Sequence, residues 1–144
     1  MVIIIVIVVL FAWPKVNDPY KTVVAGWHDA GVDCLPSHQN ARLHIHPQLT
    51  VTVDGSSETI PANTGIVRGC MAETHTHDTT GTIHVEAIDT EKKLTLGQFF
   101  AVWGKPLMRD GYNVEVKVDG AVIVDSESTI FRDKQKIEIT YTKK

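Results

Sequence analysis

The chain has 144 residues, with 14 Lys and Arg against 17 Asp and Glu, a formal net charge of −3 and an isoelectric point near 6.1. This length suits a single domain with a proper core. The basic residues are scattered along the chain and do not alternate with aromatic residues. We therefore expect no nucleic-acid partner.

The first residues differ in composition from the rest of the chain. Val2 to Trp13 contains no charged residue and is dominated by Ile and Val. This stretch is shorter than the roughly 20 residues that span a membrane, but it matches the apolar core of a secretory signal or the end of a signal anchor. A preceding basic segment is missing, and a buried β-strand is the alternative interpretation. We predict a signal or membrane-anchor remnant over residues 1–14. We predict an extracytoplasmic domain, secreted or membrane-anchored, over residues 15–144.

Loop-forming residues precede the first long strand. Residues 14–42 are rich in Pro, Gly, Asp and Asn, and within them Thr22 to Ala25 is a candidate short strand. From Arg42 to Asp54 apolar and polar residues alternate, which predicts a strand that ends in a hairpin turn. His44 and His46 lie on the polar face of this strand, opposite the apolar one.

A second histidine pair lies at the predicted tip of a hairpin. His75 and His77 are separated by one residue, so on a β-strand both project from the same face. Asp78 to Gly81 is typical of a tight turn that joins two strands. With the turn there, His75 lies opposite His84 and His77 lies opposite Thr82. The hairpin is therefore predicted to carry three imidazoles on one face.

One helix and several further strands complete the prediction. Leu94 to Pro106 has helical spacing of apolar residues, with Thr95 as the N-cap and Gly104 just beyond the C-terminus. Alternation returns over residues 114–124 and 137–141. Many short strands and a single clear helix predict a mostly β fold, a small closed antiparallel barrel with one or two short helices.

The two cysteines, Cys34 and Cys70, fit an exported protein with one disulfide. The alternative is a thiolate ligand for a metal. If the strand that enters the hairpin begins at Cys70, His75 and His77 share one face and Cys70 points the other way. This parity favours the disulfide for Cys70, whereas Cys34 lies in a loop-like stretch where parity carries no information.

Convergent imidazoles predict a metal site, because neutral imidazole is the commonest protein metal ligand. Three of them form an open, three-coordinate site for a transition metal. His28 and His38 are interpreted as surface residues outside it. The predicted ligands are the three hairpin histidines and the earlier pair: His75, His77, His84, His44 and His46.

The ligand types indicate copper, with zinc as the alternative. Three imidazoles suit either ion, and a carboxylate-rich calcium site is not visible in the sequence. An oxidising compartment favours Cu(II), and copper binds more tightly than zinc at most such sites. The closely spaced Cys, His and Met ligands of a blue-copper loop are not present, which argues against a cupredoxin.

Several motifs of the chain match a known family. The matching parts are His44-Ile45-His46, Val53-Asp54-Gly55, Ile60 to Ile66, Thr74 to Glu86, and Thr95 to Gly104. With these motifs the chain resembles the arcuphilin-like archaeal copper-binding proteins, within a wider family of exported or membrane-anchored proteins that carry a Thr-His-Thr-His-Asp hairpin. The resemblance implies a cyclophilin-like β-barrel and copper or zinc bound by histidines. It does not imply prolyl isomerase activity, because the catalytic Arg and aromatic pocket motif are not found.

The sequence therefore predicts a metal-binding β-barrel domain over residues 15–144 that stores, buffers or delivers copper outside the cytoplasm. Its expected partners are the metal ion and a copper donor or acceptor protein, with membrane anchorage through the N-terminal segment. A rival hypothesis is a zinc- or copper-dependent metalloenzyme, in which Glu73 or Glu86, flanking the hairpin histidines, acts as general base. A third is a barrel interaction domain with incidental histidines. The ligand set has no obvious catalytic base beside it, so we expect binding rather than catalysis.

Overall fold

A computed structural model describes residues 18–144 of the chain. The predicted signal or anchor over residues 1–14 lies outside the described residues. Within residues 18–144 the fold is mostly β with two α-helices, which confirms the predicted class at that level. No helix in this part of the chain is long and apolar enough to cross a membrane.

The helices are short, and only three strands are longer than four residues. The helices are α1 (Pro19–Asp29) and α2 (Leu96–Trp103), with a 3₁₀ helix over His38–Asn40. The strands are β1 (Cys34–Leu35), β2 (Leu43–Ile45), β3 (Gln48–Val53), β4 (Ser56–Glu58), β5 (Ile66–Val67), β6 (Cys70–Ala72), β7 (Thr74–His75), β8 (His84–Ala87), β9 (Tyr112–Val118), β10 (Ala121–Ile123) and β11 (Lys136–Lys143).

The strands form three sheets, with the orders β10-β9-β11-β3-β4, β1-β6-β5 and β2-β8-β7. The pairings are antiparallel except that of β3 with β11, which is parallel and places Leu49 beside Ile137. A parallel pair needs a long connection, and here the chain between the two strands includes the histidine hairpin and α2. Among the described residues the three ladders do not join into one closed sheet. The closed barrel therefore stays a prediction, and the predicted antiparallel pairing has one exception, the parallel pair of β3 and β11.

Alternation in the long strands separates core from solvent. In β3, Leu49 and Val51 are buried and Thr50 between them is exposed, as the sequence pattern predicts. In the neighbouring β11, Ile137 and Ile139 are buried in the same way. Removal of these apolar faces from water is the main favourable contribution to folding.

The predicted helix is confirmed as α2, with both of its predicted ends. The Thr95 hydroxyl accepts a hydrogen bond from the Gln98 amide, and the Gln98 side chain accepts one from the Thr95 amide, which forms a capping box. Gly104 ends the helix in the left-handed region at φ 74°. Phe99 and Phe100 are fully buried, and the helix packs against β7 of the histidine hairpin.

The candidate strand at Thr22 to Ala25 is wrong, because these residues lie inside α1. Asp18 is the N-cap and accepts a hydrogen bond from the Tyr20 amide, and Pro19 occupies the first turn, where its missing N–H leaves no partner unsatisfied. The helix then buries Trp27. The start signal and this buried aromatic outweigh the strand preference of a short β-branched run.

Cys34 and Cys70 form a disulfide, which confirms the predicted pairing. The bond joins β1 to β6, whose register places Cys34 opposite Ala72 and Leu35 opposite Met71. A structural disulfide is typical of proteins that mature in an oxidising compartment. The bond also fixes the start of the segment that leads to the 3₁₀ helix at His38–Asn40.

Replacing both cysteines in a Cys34→Ser/Cys70→Ser variant should lower the free energy of unfolding by about 3–4 kcal/mol, because the disulfide closes a loop with a sequence separation of 36 residues. Urea denaturation of the two proteins measures the difference. Reduction of the wild type should produce a loss of the same size. Equal stability of the variant and the wild type would contradict the prediction.

Candidate metal centre

Six of the seven histidines converge on one side of the sheet β2-β8-β7. Neighbouring imidazoles in this group have ring centroids between 4.5 and 6.1 Å apart. The six residues, which we call the histidine cluster, are His38, His44, His46, His75, His77 and His84. The seventh, His28, lies in α1, is largely exposed and contacts Asp33.

The hairpin register is confirmed at its base and differs at its tip. His75 lies opposite His84 as predicted. The predicted pairing of His77 with Thr82 is wrong, because Thr82 forms a bridge with Gln48 instead. The strand diverges after His75, and the chain over 76–83 forms a wider loop. The His77 side chain nevertheless returns to the cluster, with its Nε2 atom 3.2 Å from Nε2 of His75.

The loop is held by contacts to β3. The Leu49 amide donates to the carbonyl of Gly81 over 2.9 Å, and the Gln48 side chain donates to the Thr80 carbonyl. Gly81 adopts φ +84°, and a Cβ atom there would lie 2.2 Å from the Leu49 carbonyl oxygen. The glycine is therefore required both by its backbone conformation and by this close approach.

Glu86 lies fully buried within the histidine cluster. Its Oε2 atom accepts a hydrogen bond from Nδ1 of His38 over 2.8 Å. Its Oε1 atom lies 3.1 Å from Nε2 of His44 and 3.8 Å from Nδ1 of His84. The contact with His44 follows from strand pairing, since His44 and Glu86 are opposite each other in β2 and β8. One carboxylate thus contacts three imidazoles from three different elements.

His75 is held as a neutral imidazole with a free Nε2 atom. Burial lowers the pKa of His75 from 6.5 to about 4. Its Nδ1–H donates to the carbonyl of Ala72 over 2.9 Å, and a carbonyl can only accept. The unprotonated nitrogen is therefore Nε2, and it faces the other imidazoles. A ring N–H donated to a backbone carbonyl is the arrangement that orients metal-binding histidines.

Two buried polar atoms in the cluster have no hydrogen-bond partner: Nδ1 of His84 and Oε1 of Glu86. Burial lowers the pKa of His84, and the neighbouring His77 and His46 lower it further. Leaving such a group unpaired costs about 1–3 kcal/mol. A bound cation would interact favourably with an imidazole lone pair and with a carboxylate oxygen, so the residues present fit a metal ion.

Glu73, predicted to flank the hairpin histidines, makes its contacts elsewhere. Its carboxylate accepts hydrogen bonds from the amide of Asp33 over 2.9 Å and from Nζ of Lys92 over 2.5 Å. Lys92 also contacts the Asp33 carboxylate over 2.8 Å. The Lys92 ammonium is shared by the two carboxylates and links the residue before β7 to two loops, so Glu73 has a structural role.

The donor atoms fall into three groups, in each of which all atoms lie within 4.8 Å of one another. The groups are His38, His75 and His77; His44, His46 and His84; and His75, His84 and Glu86. All five predicted ligands therefore lie in one cluster. The pair His44 and His46 lies beside the pair His75 and His77.

His38 lies at the surface, as the sequence predicts, but it does not lie outside the cluster. Its side chain is about half exposed, but it contacts Glu86, His75 and His77. Strand parity cannot locate it, because it lies in a 3₁₀ helix. The signal that could have found it is the disulfide, which ties the segment four residues before it to the strand that leads into the hairpin.

Imidazole nitrogens and one carboxylate form the donor set, which is typical of sites for copper and zinc. The hard oxygen ligands that calcium requires are not grouped here. Comparison of the chain with protein-family models, with curated proteins and with solved structures finds no match. The geometry of the centre is therefore the basis for assigning a function.

Lowering the pH should destabilise the metal-free protein. The pKa of His75 in the fold is about 4, below the 6.5 of an unperturbed histidine, so between these values the unfolded state binds more protons. The full contribution of His75 to the free energy of unfolding is present above about pH 6.5. As the pH falls to about 4, the free energy of unfolding should decrease by up to about 3 kcal/mol.

Urea unfolding between pH 7 and pH 4.5 measures this loss. A His75→Asn variant should show a weaker dependence on pH, while His28→Asn, at an exposed position, should keep that of the wild type. Identical pH dependence in the wild type and His75→Asn would refute the assignment.

Proposed function

We propose that this protein is an extracytoplasmic copper-binding protein that stores, buffers or delivers the ion through its histidine cluster. The observation that carries the proposal is the convergence of six imidazoles in one cluster, three of which contact the buried carboxylate of Glu86, with donor atoms within 4.8 Å of one another in each group of three. Three of these imidazoles come from sheet strands, so much of the ligand geometry is set by the fold before an ion binds.

The protonation of the cluster supports metal binding over a purely structural role. A buried imidazole with a pKa near 4 is neutral at pH 7, and its Nε2 lone pair faces a second imidazole nitrogen at 3.2 Å. Neutral imidazole is the form that coordinates metals. A structural hydrogen-bond network would be expected to satisfy its buried polar atoms, whereas here His84 and Glu86 each retain one without a partner.

Copper is favoured over zinc by the ligand chemistry and by the compartment. At a given site of nitrogen ligands, Cu(II) binds more tightly than Zn(II). The disulfide supports an oxidising compartment, where copper is present as Cu(II). Membership of the arcuphilin-like family, with its cyclophilin-like barrel, is part of the same hypothesis, as is a protein partner that donates or accepts copper.

The placement of the two glutamates supports binding rather than catalysis. Glu86 is fully buried beneath the imidazoles, and Glu73 is paired with Lys92. A general base must reach a proton on the substrate or on a metal-bound water, and neither carboxylate is presented to solvent for that purpose. Hydrolase and dismutase assays on the copper- and zinc-loaded protein test the metalloenzyme alternative, and we expect no turnover.

Removing a hairpin ligand should weaken Cu(II) binding strongly. We expect His75→Ala, His77→Ala and His84→Ala each to lower the affinity by more than the about 10–100-fold that losing an outer hydrogen-bond partner costs. The measurement is competition between the metal-free protein and a chromophoric chelator. His28→Ala is the matched control and should bind as the wild type does. Wild-type affinity in all three cluster variants would exclude the histidines as ligands.

Protons should compete with the ion. An imidazole must be neutral to coordinate copper, and an ordinary histidine binds a proton below about pH 6.5, so the affinity should fall steeply between about pH 7 and pH 5. His75 is already neutral in this range and should release no proton. Calorimetry in buffers of different ionisation enthalpy counts the protons released. An affinity that is constant over this range would point to carboxylate ligands instead.

A further inference from the structure

We propose that the histidine cluster is a centre for two metal ions, one bound by His38, His75 and His77 and the other by His44, His46 and His84. This inference rests on the proposed function and deepens it, because it specifies the number of ions and the ligands of each. The two sets of three, which we call triad one and triad two, share no residue.

The number of ligands argues against a single ion. Zinc and copper sites in proteins use three or four protein ligands, and the cluster offers six imidazoles and one carboxylate. Within each triad the three donor atoms lie within 4.8 Å of one another, so small side-chain adjustments would bring them around one ion. A single ion would therefore leave several imidazoles of the cluster without a metal.

The two triads come from different parts of the fold. Triad one combines the disulfide-bonded 3₁₀ segment with β7 and the loop that follows it, whereas triad two combines β2, the residue after it and β8. They touch through His84, whose ring lies 5.4 Å from that of His75 and 4.5 Å from that of His77. Two ions bound in this way would be near neighbours.

Glu86 connects the triads as a shared positioning residue. One oxygen accepts from Nδ1 of His38, which leaves Nε2 of that ring for an ion in triad one. The other oxygen has no hydrogen-bond partner but lies 3.1 Å from Nε2 of His44, so it also contacts a ligand of triad two. A carboxylate that contacts the far nitrogen of a metal-bound histidine fixes the ring and raises its basicity. Its negative charge, fully buried, also offsets part of the repulsion between two cations.

The triads differ in exposure, which predicts stepwise loading. Triad one contains His75, which is fully buried and fixed as one tautomer by Ala72. Triad two has no fully buried ligand, because His44 is exposed and His46 and His84 are only partly buried. The prepared site should fill first, and the second ion should bind more weakly because it approaches a cation already in place.

Counting the ions tests the inference directly. Cu(II) is titrated into the metal-free full chain, and the bound metal is measured by equilibrium dialysis with elemental analysis. The wild type should bind two ions per chain. A His38→Asn/His77→Asn variant and a His44→Asn/His46→Asn variant should each bind one, and the variant with all four changes should lose both tight sites. His28→Asn is the control and should bind two. Circular dichroism of each metal-free protein verifies that it is folded.

Electron paramagnetic resonance provides a second measurement that does not depend on stoichiometry alone. The fully loaded wild type should show the broadening that arises when two Cu(II) ions are close, and each double variant should show a sharp signal from one isolated ion. Glu86→Gln should still bind two ions, with both affinities lowered by about 10–100-fold. Glu73→Gln, at the other buried glutamate, is the matched control and should leave both affinities unchanged.

The outcomes separate this inference from the function on which it rests. One ion per wild-type chain, weakened by both double variants, would overturn the two-ion centre and leave copper binding intact. Two ions retained by both double variants would also overturn it. If the wild type binds no copper at micromolar concentration, the proposed function fails together with the inference.

Discussion

The pairing of β8 with β2 on one side and β7 on the other determines which polar side chains meet. In this register His44 lies opposite Glu86 and His75 lies opposite His84. Because side chains alternate between the two faces of a sheet, a shift of either pairing by one residue would move its histidine to the other face. The loop histidines add to a group that these two pairings assemble, so the whole centre depends on the register of a three-stranded sheet.

Burial at this sheet affects the protonation of the imidazoles as well as their positions. Removing His75 from water disfavours its charged form and lowers its pKa to about 4, so the ring stays neutral where a free histidine begins to bind protons. The Ala72 carbonyl then fixes which nitrogen keeps the lone pair. The same burial leaves one nitrogen of His84 and one oxygen of Glu86 unpaired, which costs stability in the metal-free protein. Under the proposed function, an ion that satisfies both atoms would couple metal binding to folding.

The elements around the sheet hold the hairpin in place. Gly65, at φ +82°, packs so closely that a Cβ atom would lie 2.6 Å from the Thr74 carbonyl oxygen and 3.1 Å from Cβ of His75. Helix α2 covers β7 from the core side with fully buried phenylalanines. The Cys34–Cys70 disulfide holds the segment that brings His38 to the cluster. Steric and apolar constraints thus act on β7, and a covalent constraint acts on the segment that carries His38.

The sequence by itself determined the features that depend on local periodicity and local capping. These include the alternation that separates His44 from its apolar neighbours, the capped helix α2, and the opposition of His75 and His84. Only the tertiary structure decided the rest, because it depends on residues far apart in the chain. The disulfide and the contact with buried Glu86 place His38 in the cluster, and the ion pair with Lys92 places Glu73 outside it. Contacts to β3 separate the two arms of the hairpin beyond His75. Period-two alternation fixes the face on which a side chain lies, whereas which faces meet is set by long-range pairing and burial.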